Sequence, residues 1–273
     1  MKKLLVLAAM MMAAMSGFAQ DDKSYVCVAV FENATGTSSY KSVTNTLRNE
    51  IMEGIMATTR IEVLDITTQN LPSNKNALLE ALKEKGINYL LEGKLNAITT
   101  GYTTDGKSRK AEVNSTLTLT DVETKLTKST VTYNESGIGK TTDAAILDAV
   151  SDTRKNMEKF VDDNFKVAAT IKTLDQVDEK KGVVKSCYIS TGGDAGVQRG
   201  QIFEVFAEVE VAGERVSKKI GELKAKEVLS GTLTLCDVKN GGDVIKTNFD
   251  QGIQMTVLTR AKKDTFGLRK MFK

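Results

Sequence analysis

The spacing of apolar positions changes several times along this chain, and each change marks a different kind of element. Ser24-Tyr-Val-Cys-Val-Ala-Val-Phe31 is a continuous apolar run. It predicts a strand covered on both faces, as in a sheet packed between helices. After a polar loop from Glu32 to Ser38 the spacing becomes helical, with Tyr40, Val43, Leu47, Ile51 and Ile55 falling three or four apart. Arg60–Ile66 predicts a second strand. Pro72, the only proline, lies in a loop before a second helix that Asn74 can cap. That helix carries Ala77, Leu78 and Leu82 and ends at Gly86. Ile87–Leu95 predicts a third strand, so the chain opens β-α-β-α-β.

Strict alternation then takes over. Val113, Ser115, Leu117 and Leu119 alternate with Asn114, Thr116, Thr118 and Thr120, and Leu126 to Tyr133 alternates again after the turn-rich Asp121–Thr124. This predicts an antiparallel hairpin with one wet face. Asp105-Gly106 predicts an exposed loop before it. A long amphipathic helix is expected from Thr141 to Phe165, its apolar side formed by Ile146, Val150, Met157, Phe160 and Val161. On its polar side, Asp162 and Asp163 read as solvated charge, because helix neighbours diverge by about 100° and do not converge on a substrate. Beyond Lys166 the chain becomes β-rich and punctuated by glycine. Strands are predicted at 168–177, 183–189, 202–211, 220–228, 233–238 and 255–259. The expected fold is α+β or α/β: a mixed sheet with flanking helices over 20–166, then a small all-β barrel or sandwich over 167–261.

The first nineteen residues carry a different pattern. Lys2 and Lys3 precede an unbroken apolar run from Leu4 to Met15, and Ser16-Gly17-Phe18-Ala19 puts small residues just before Gln20. This is the arrangement of a cleavable secretory leader, cut between Ala19 and Gln20. The run is too short for a membrane span, which takes roughly 20 apolar residues. No cysteine follows it to accept a lipid. The expectation is a periplasmic or outer-membrane-associated chain that is not a lipoprotein, with no transmembrane helix once cut. Such a compartment is poor in ATP and reduced cofactors, which weighs against energy-consuming enzymes.

Composition narrows the chemistry further. The 273 residues include no histidine and no tryptophan, so Ser-His and Cys-His pairs and imidazole metal sites are excluded. No catalytic, cofactor or metal residue is assigned. The net charge of +3 falls close to neutral without the leader, and the basic excess gathers in the tail, 262–273, after Arg260. Nucleic acid is therefore not an expected partner. Cys27, Cys187 and Cys236 sit far apart in strand-like contexts. They read as buried free thiols, with a Cys187–Cys236 disulfide as the alternative in an oxidising compartment.

Two glycine clusters stand out along the chain. Ser136-Gly-Ile-Gly-Lys-Thr-Thr142 resembles part of a phosphate-binding loop, but Asn134 stands where that loop needs its first glycine. Gly139, Lys140 and Thr141 are therefore not assigned to a cofactor; a glycine loop with Thr141 or Thr142 capping the next helix is expected instead. Gly192, Gly193, Gly196 and Gly200 precede a strand rather than a helix, so they read as a tight turn and not a dinucleotide fingerprint.

Val26–Phe31 with Glu32-Asn33, Leu47-Arg48, Ile61–Asp65 and above all Gly86-Ile-Asn-Tyr-Leu-Leu-Glu-Gly93 resemble the periplasmic domain of the curli-transport (CsgG) family over 25–166. Similar units occur in lipoprotein activators of penicillin-binding proteins and at the N-terminus of TolB. Gly193–Gly200, Phe203–Phe206 and Ile220–Lys224 leading into Val228 resemble the C-terminal domain of flagellar assembly protein T. Both resemblances imply a non-enzymatic accessory of envelope assembly or secretion, working through contacts with envelope proteins, with oligomerisation open. The alternatives are an oligomeric outer-membrane secretion component, an activator of peptidoglycan synthesis and, last, a nucleotide-using enzyme. The short, polar hairpin over 109–133 argues against a lipid-facing barrel wall.

Overall fold

The computed structural model describes residues 23–211 and 214–260. The expected cut at Ala19–Gln20 and the basic tail lie outside the described residues. The chain divides into two compact units, Lys23–Phe165 and the residues from Lys166 onward.

The first unit is a mixed sheet with helices. β1 (Ser24–Val28), β3 (Ile61–Asp65) and the start of β4 (Tyr89–Tyr102) run parallel. β5 (Arg109–Asp121) and β6 (Thr127–Gly139) continue antiparallel, giving the order β3-β1-β4-β5-β6, with the two-residue β2 (Glu32–Asn33) on β4. β1 is buried on both faces from Val26 to Val28, while Tyr25 is exposed. Val26 and Val28 join a core with Leu47, Ile51 and Ile55 of α1 (Lys41–Met56), whereas Cys27 joins Leu78, Leu79 and Leu82 of α2 (Lys75–Glu84). Asn74 Oδ1 caps α2 by accepting from the N–H groups of Asn76 and Ala77. The first-unit core also takes Ile146, Ala149 and Val150 from α3 (Thr142–Lys155) and Met157, Phe160 and Val161 from α4 (Met157–Asn164).

Two expectations here are corrected. The single helix over 141–165 is two helices. At Asn156 the N–H bonds the Thr153 carbonyl in a tighter turn, and the side-chain amide donates to Glu135 at 2.8 Å. The bond to Glu135 on β6 holds Asn156 at the break between the two helices. The expected glycine loop at Ser136–Gly139 is instead the end of β6, pairing with Arg109–Glu112.

The second unit is a closed six-stranded barrel in the order β10-β11-β8-β7-β12-β9. Its strands are β7 (Ala168–Asp178), β8 (Val183–Ile189), β9 (Ile202–Val211), β10 (Glu214–Val228), β11 (Thr234–Asn240) and β12 (Met255–Arg260). It is not purely β. α5 (Gly242–Asp250) lies between the strands predicted at 233–238 and 255–259, where no element is predicted. Gly241 starts it at φ +74°, and a side chain on Gly242 would meet the Val184 carbonyl at 2.4 Å. Glycine at these positions lets Ile245, fully buried, reach the barrel core beside Gly221. No described helix is long and apolar enough to cross a membrane.

Candidate functional site

Open α/β sheets present ligands at the carboxyl ends of their parallel strands. In this chain a side chain occupies that crest. Arg48, reaching up from α1, donates through Nε to the Ala29 carbonyl at 2.7 Å and through Nη2 to the Val28 carbonyl at 2.8 Å. The same guanidinium holds Asp65, the last residue of β3, with two bonds of 2.6 and 3.1 Å. Asp65 also accepts from the N–H and hydroxyl of Thr67. Hydrogen bonding from Arg48, with help from Thr67, pulls its carboxyl down to about 2. Arg48 lies in the Leu47-Arg48 pair that carries part of the curli-transport resemblance. Here it clamps the ends of β1 and β3, whose carbonyls no strand reaches at that point. Gly93, the last residue of the most specific matching segment, has a comparable role: a Cβ there would sit 2.3 Å from the ring of Phe31.

The glycine segment ahead of α3 is packed shut. A Cβ on Gly137 would lie 2.1 Å from the Ala145 carbonyl oxygen and 2.3 Å from the Ala149 nitrogen, and one on Gly139 would lie 2.5 Å from the Ala145 nitrogen. A phosphate cradle needs free backbone N–H groups facing an open space; here the helix backbone fills it. Lys140 is exposed, and Thr141 caps α3 by accepting from the Ala144 N–H at 3.2 Å.

Asp162 and Asp163 part company. Asp163 is exposed and pairs with Lys159 one turn earlier. Asp162, expected at the wet surface, is buried to 1% and accepts from Arg60 Nη2 at 2.5 Å, with the Arg60 side chain 4% exposed. That correction has a plain physical cause: a buried carboxylate needs a buried cation, and Arg60 comes from the far side of the sequence.

In the barrel, Cys187 on β8 and Cys236 on β11 are register partners. Both are buried free thiols, and burial pushes the Cys187 thiol up to about 12. Cys27, in the first unit, is likewise buried and free, raised to about 11. The segment from Gly192 to Gly200 links β8 to β9 through one tight turn at Gly193–Ala195, with Gly196 at φ +69° and Gly200 at φ +89°. It docks on Ser230 and Gly231, whose carbonyls accept from the N–H groups of Gly193 and Asp194. A charge cluster joins β9, β10 and β12: Arg260 meets Glu222 at 2.9 Å and Lys219 meets Glu204 at 2.6 Å. A shallow depression of about 220 Å³ in the first unit, beside Lys83, Asn88, Tyr89 and Asp121, is lined by mixed polar groups. Among the described residues, no group of three or more acidic or cysteine side chains is placed to hold a metal ion.

No protein-family model matches the chain, and no curated protein does. Solved structures match weakly. The PelC dodecamer from Paraburkholderia phytofirmans is 13% identical with a TM-score of 0.33, over 49% of this chain and 86% of that one. Lipoprotein GNA1162 from Neisseria meningitidis is 8% identical with a TM-score of 0.35, over 49% of this chain and 96% of that one. The C-terminal domain of LpoB from Escherichia coli is 13% identical with a TM-score of 0.31, over 46% of this chain and 92% of that one. Scores of this size are too low to bear on activity or partners.

Proposed function

We propose that this chain is an exported, non-enzymatic accessory of cell-envelope assembly or secretion, acting through protein–protein contacts in the way the curli-transport resemblance implies. The observation that carries the reading is the backbone of α3 filling the space beside Gly137 and Gly139. The one segment with the look of a nucleotide loop is thereby committed to packing. The two buried arginines of the first unit are committed too, Arg48 to Asp65 and to two carbonyls, and Arg60 to Asp162. The leader-like pattern over 1–19 supports export, and the two resemblances support an envelope role by analogy of fold.

Two measurements test the reading. Cells producing the full chain are fractionated and the mass of the product is read. A chain starting at Gln20 in the periplasmic or envelope fraction supports export, whereas a cytoplasmic chain that keeps residues 1–19 overturns it. Calorimetry with ATP and Mg²⁺ addresses chemistry. Specific micromolar binding that disappears in Lys140→Ala would replace the accessory role with a nucleotide-using one.

A further inference from the structure

β6 is a thirteen-residue edge strand with one side paired to β5. Two hydrogen bonds fix which of its groups face outward. The Asp121 N–H bonds the Leu126 carbonyl at the turn, and the Ile138 N–H leaves the ladder for Asp148 on α3 at 3.0 Å. Between these points the register shifts by one residue, with Lys128 bulged out of the ladder between Thr127 and Ser129; alternation beyond that bulge turns the N–H and C=O groups of Thr130, Thr132, Asn134 and Ser136 away from β5. All four residues are exposed. No described residue bonds their N–H groups on the outer side. Edges of this kind are ordinarily guarded by lysine, proline, a bulge or short length; β6 has its lysine and its bulge at Lys128, near its start, and the stretch from Ser129 to Gly137 beyond them has none of these. The other edge, β3, is five residues long.

The side chains on this stretch are as telling as the backbone. A ladder of polar contacts crosses the uncovered face of the sheet. Asn96 donates to Asn114, Asn114 to Asn134, and the Thr116 and Thr132 hydroxyls meet at 3.1 Å. It stops at the open edge, on Thr132 and Asn134.

We propose that β6 is an interface for a second copy of this chain, which pairs antiparallel along the same edge about a two-fold axis at Tyr133. In that register Thr132 lies opposite the second copy's Asn134 and Thr130 opposite its Ser136. All four outward-facing residues are then paired with one another and none is left over. The Thr and Asn ladder runs on across the axis, and no like charges meet, since Glu135 faces Val131. This self-complementarity is what a two-fold interface requires of a single surface. It favours a second copy over an unrelated extended peptide, whose side chains would have no reason to match. Cellular location plays no part in the pairing, so its success or failure is separate from the export reading.

Sedimentation of the purified chain over a range of concentrations tests it, together with hydrogen exchange resolved to β6. The expected result is a species of twice the chain mass that dissociates on dilution, with the Thr130, Thr132, Asn134 and Ser136 amides protected only in that species. Thr132→Pro removes an outward N–H that the β5 ladder does not use; it should leave thermal unfolding near that of the wild type and abolish the dimer. A chain that stays monomeric at its highest soluble concentration overturns the proposal. A dimer whose β6 amides exchange freely overturns it as well, and that readout needs no variant.

Discussion

The two units treat the edges of their sheets in opposite ways, and their charges follow. The barrel pairs every strand on both sides, so its ladder ties all six strands and its interior is left to Phe203, Val205, Leu223, Val257 and two thiols. Its main charge cluster, Lys219, Glu204, Glu222 and Arg260, stays partly in water. The α/β unit has two free edges and parallel strands whose ends meet helices. There the chain uses buried arginines as ties: Arg48 for the carbonyls of Val28 and Ala29, Arg60 for α4 through Asp162. Closure supplies through the backbone what an open sheet has to supply through side chains.

The sharpest way to break this contrast is Asp162→Ala. It strands the Arg60 charge inside the core, where loss of one partner of a buried pair costs about 3–5 kcal/mol. Urea unfolding of the variant should show that loss; a change below about 1 kcal/mol would mean the pair is no tie at all. Gly137→Ala comes next. Its methyl would press on the Ala145 carbonyl and the Ala149 nitrogen, and overpacking against backbone costs about 1–3 kcal/mol. The midpoint of unfolding checks it, and an unchanged midpoint would reopen the space beside α3.

Acid sharpens the comparison from the side of Asp65. Its carboxyl is lowered in the folded chain from 3.8 to about 2, chiefly by Arg48. The unfolded state thus binds the proton more readily, so this contribution is complete above the ordinary carboxylate range and fades as pH falls from 3.8 through about 2. Asp65→Asn should flatten that part of a stability-against-pH curve, and an unaltered acid limb would remove Asp65 from the clamp. The smallest effect is expected in the barrel. Lys219 is partly exposed, and Lys219→Ala should shift stability by less than about 1 kcal/mol, as surface ion pairs do. A larger loss would show that the barrel, too, depends on charged ties.

Much of this architecture is legible from spacing alone. The two-sided burial of β1 follows from its continuous apolar run, the stripe Leu47, Ile51, Ile55 from helical periodicity, and the β8 and β9 limits from apolar runs bounded by glycine. The errors fall where a residue's usual meaning is reversed by its neighbours. Gly137 and Gly139 read as loop because glycine is a poor strand residue, yet only glycine lets α3 lie so close to β6. No element is predicted between 238 and 255, yet Gly241 and Gly242 admit α5 to the barrel there. Asp162 reads as a wet carboxylate, because nothing within a helical turn of it announces Arg60, 102 residues away.

What the sequence determined by itself is therefore local: element types, the change from helix-rich to glycine-punctuated β, the absence of histidine chemistry and the leader-like start. These follow from periodicity, chain stiffness and residue inventory, each of which acts over a few neighbours. Tertiary structure alone decided which charges go inside, that Cys187 should face Cys236, that the six strands close, and that β6 keeps an open side. Each depends on groups brought together from distant parts of the chain, where the cost of burying a charge or leaving a backbone group unpaired is set by whatever arrives beside it.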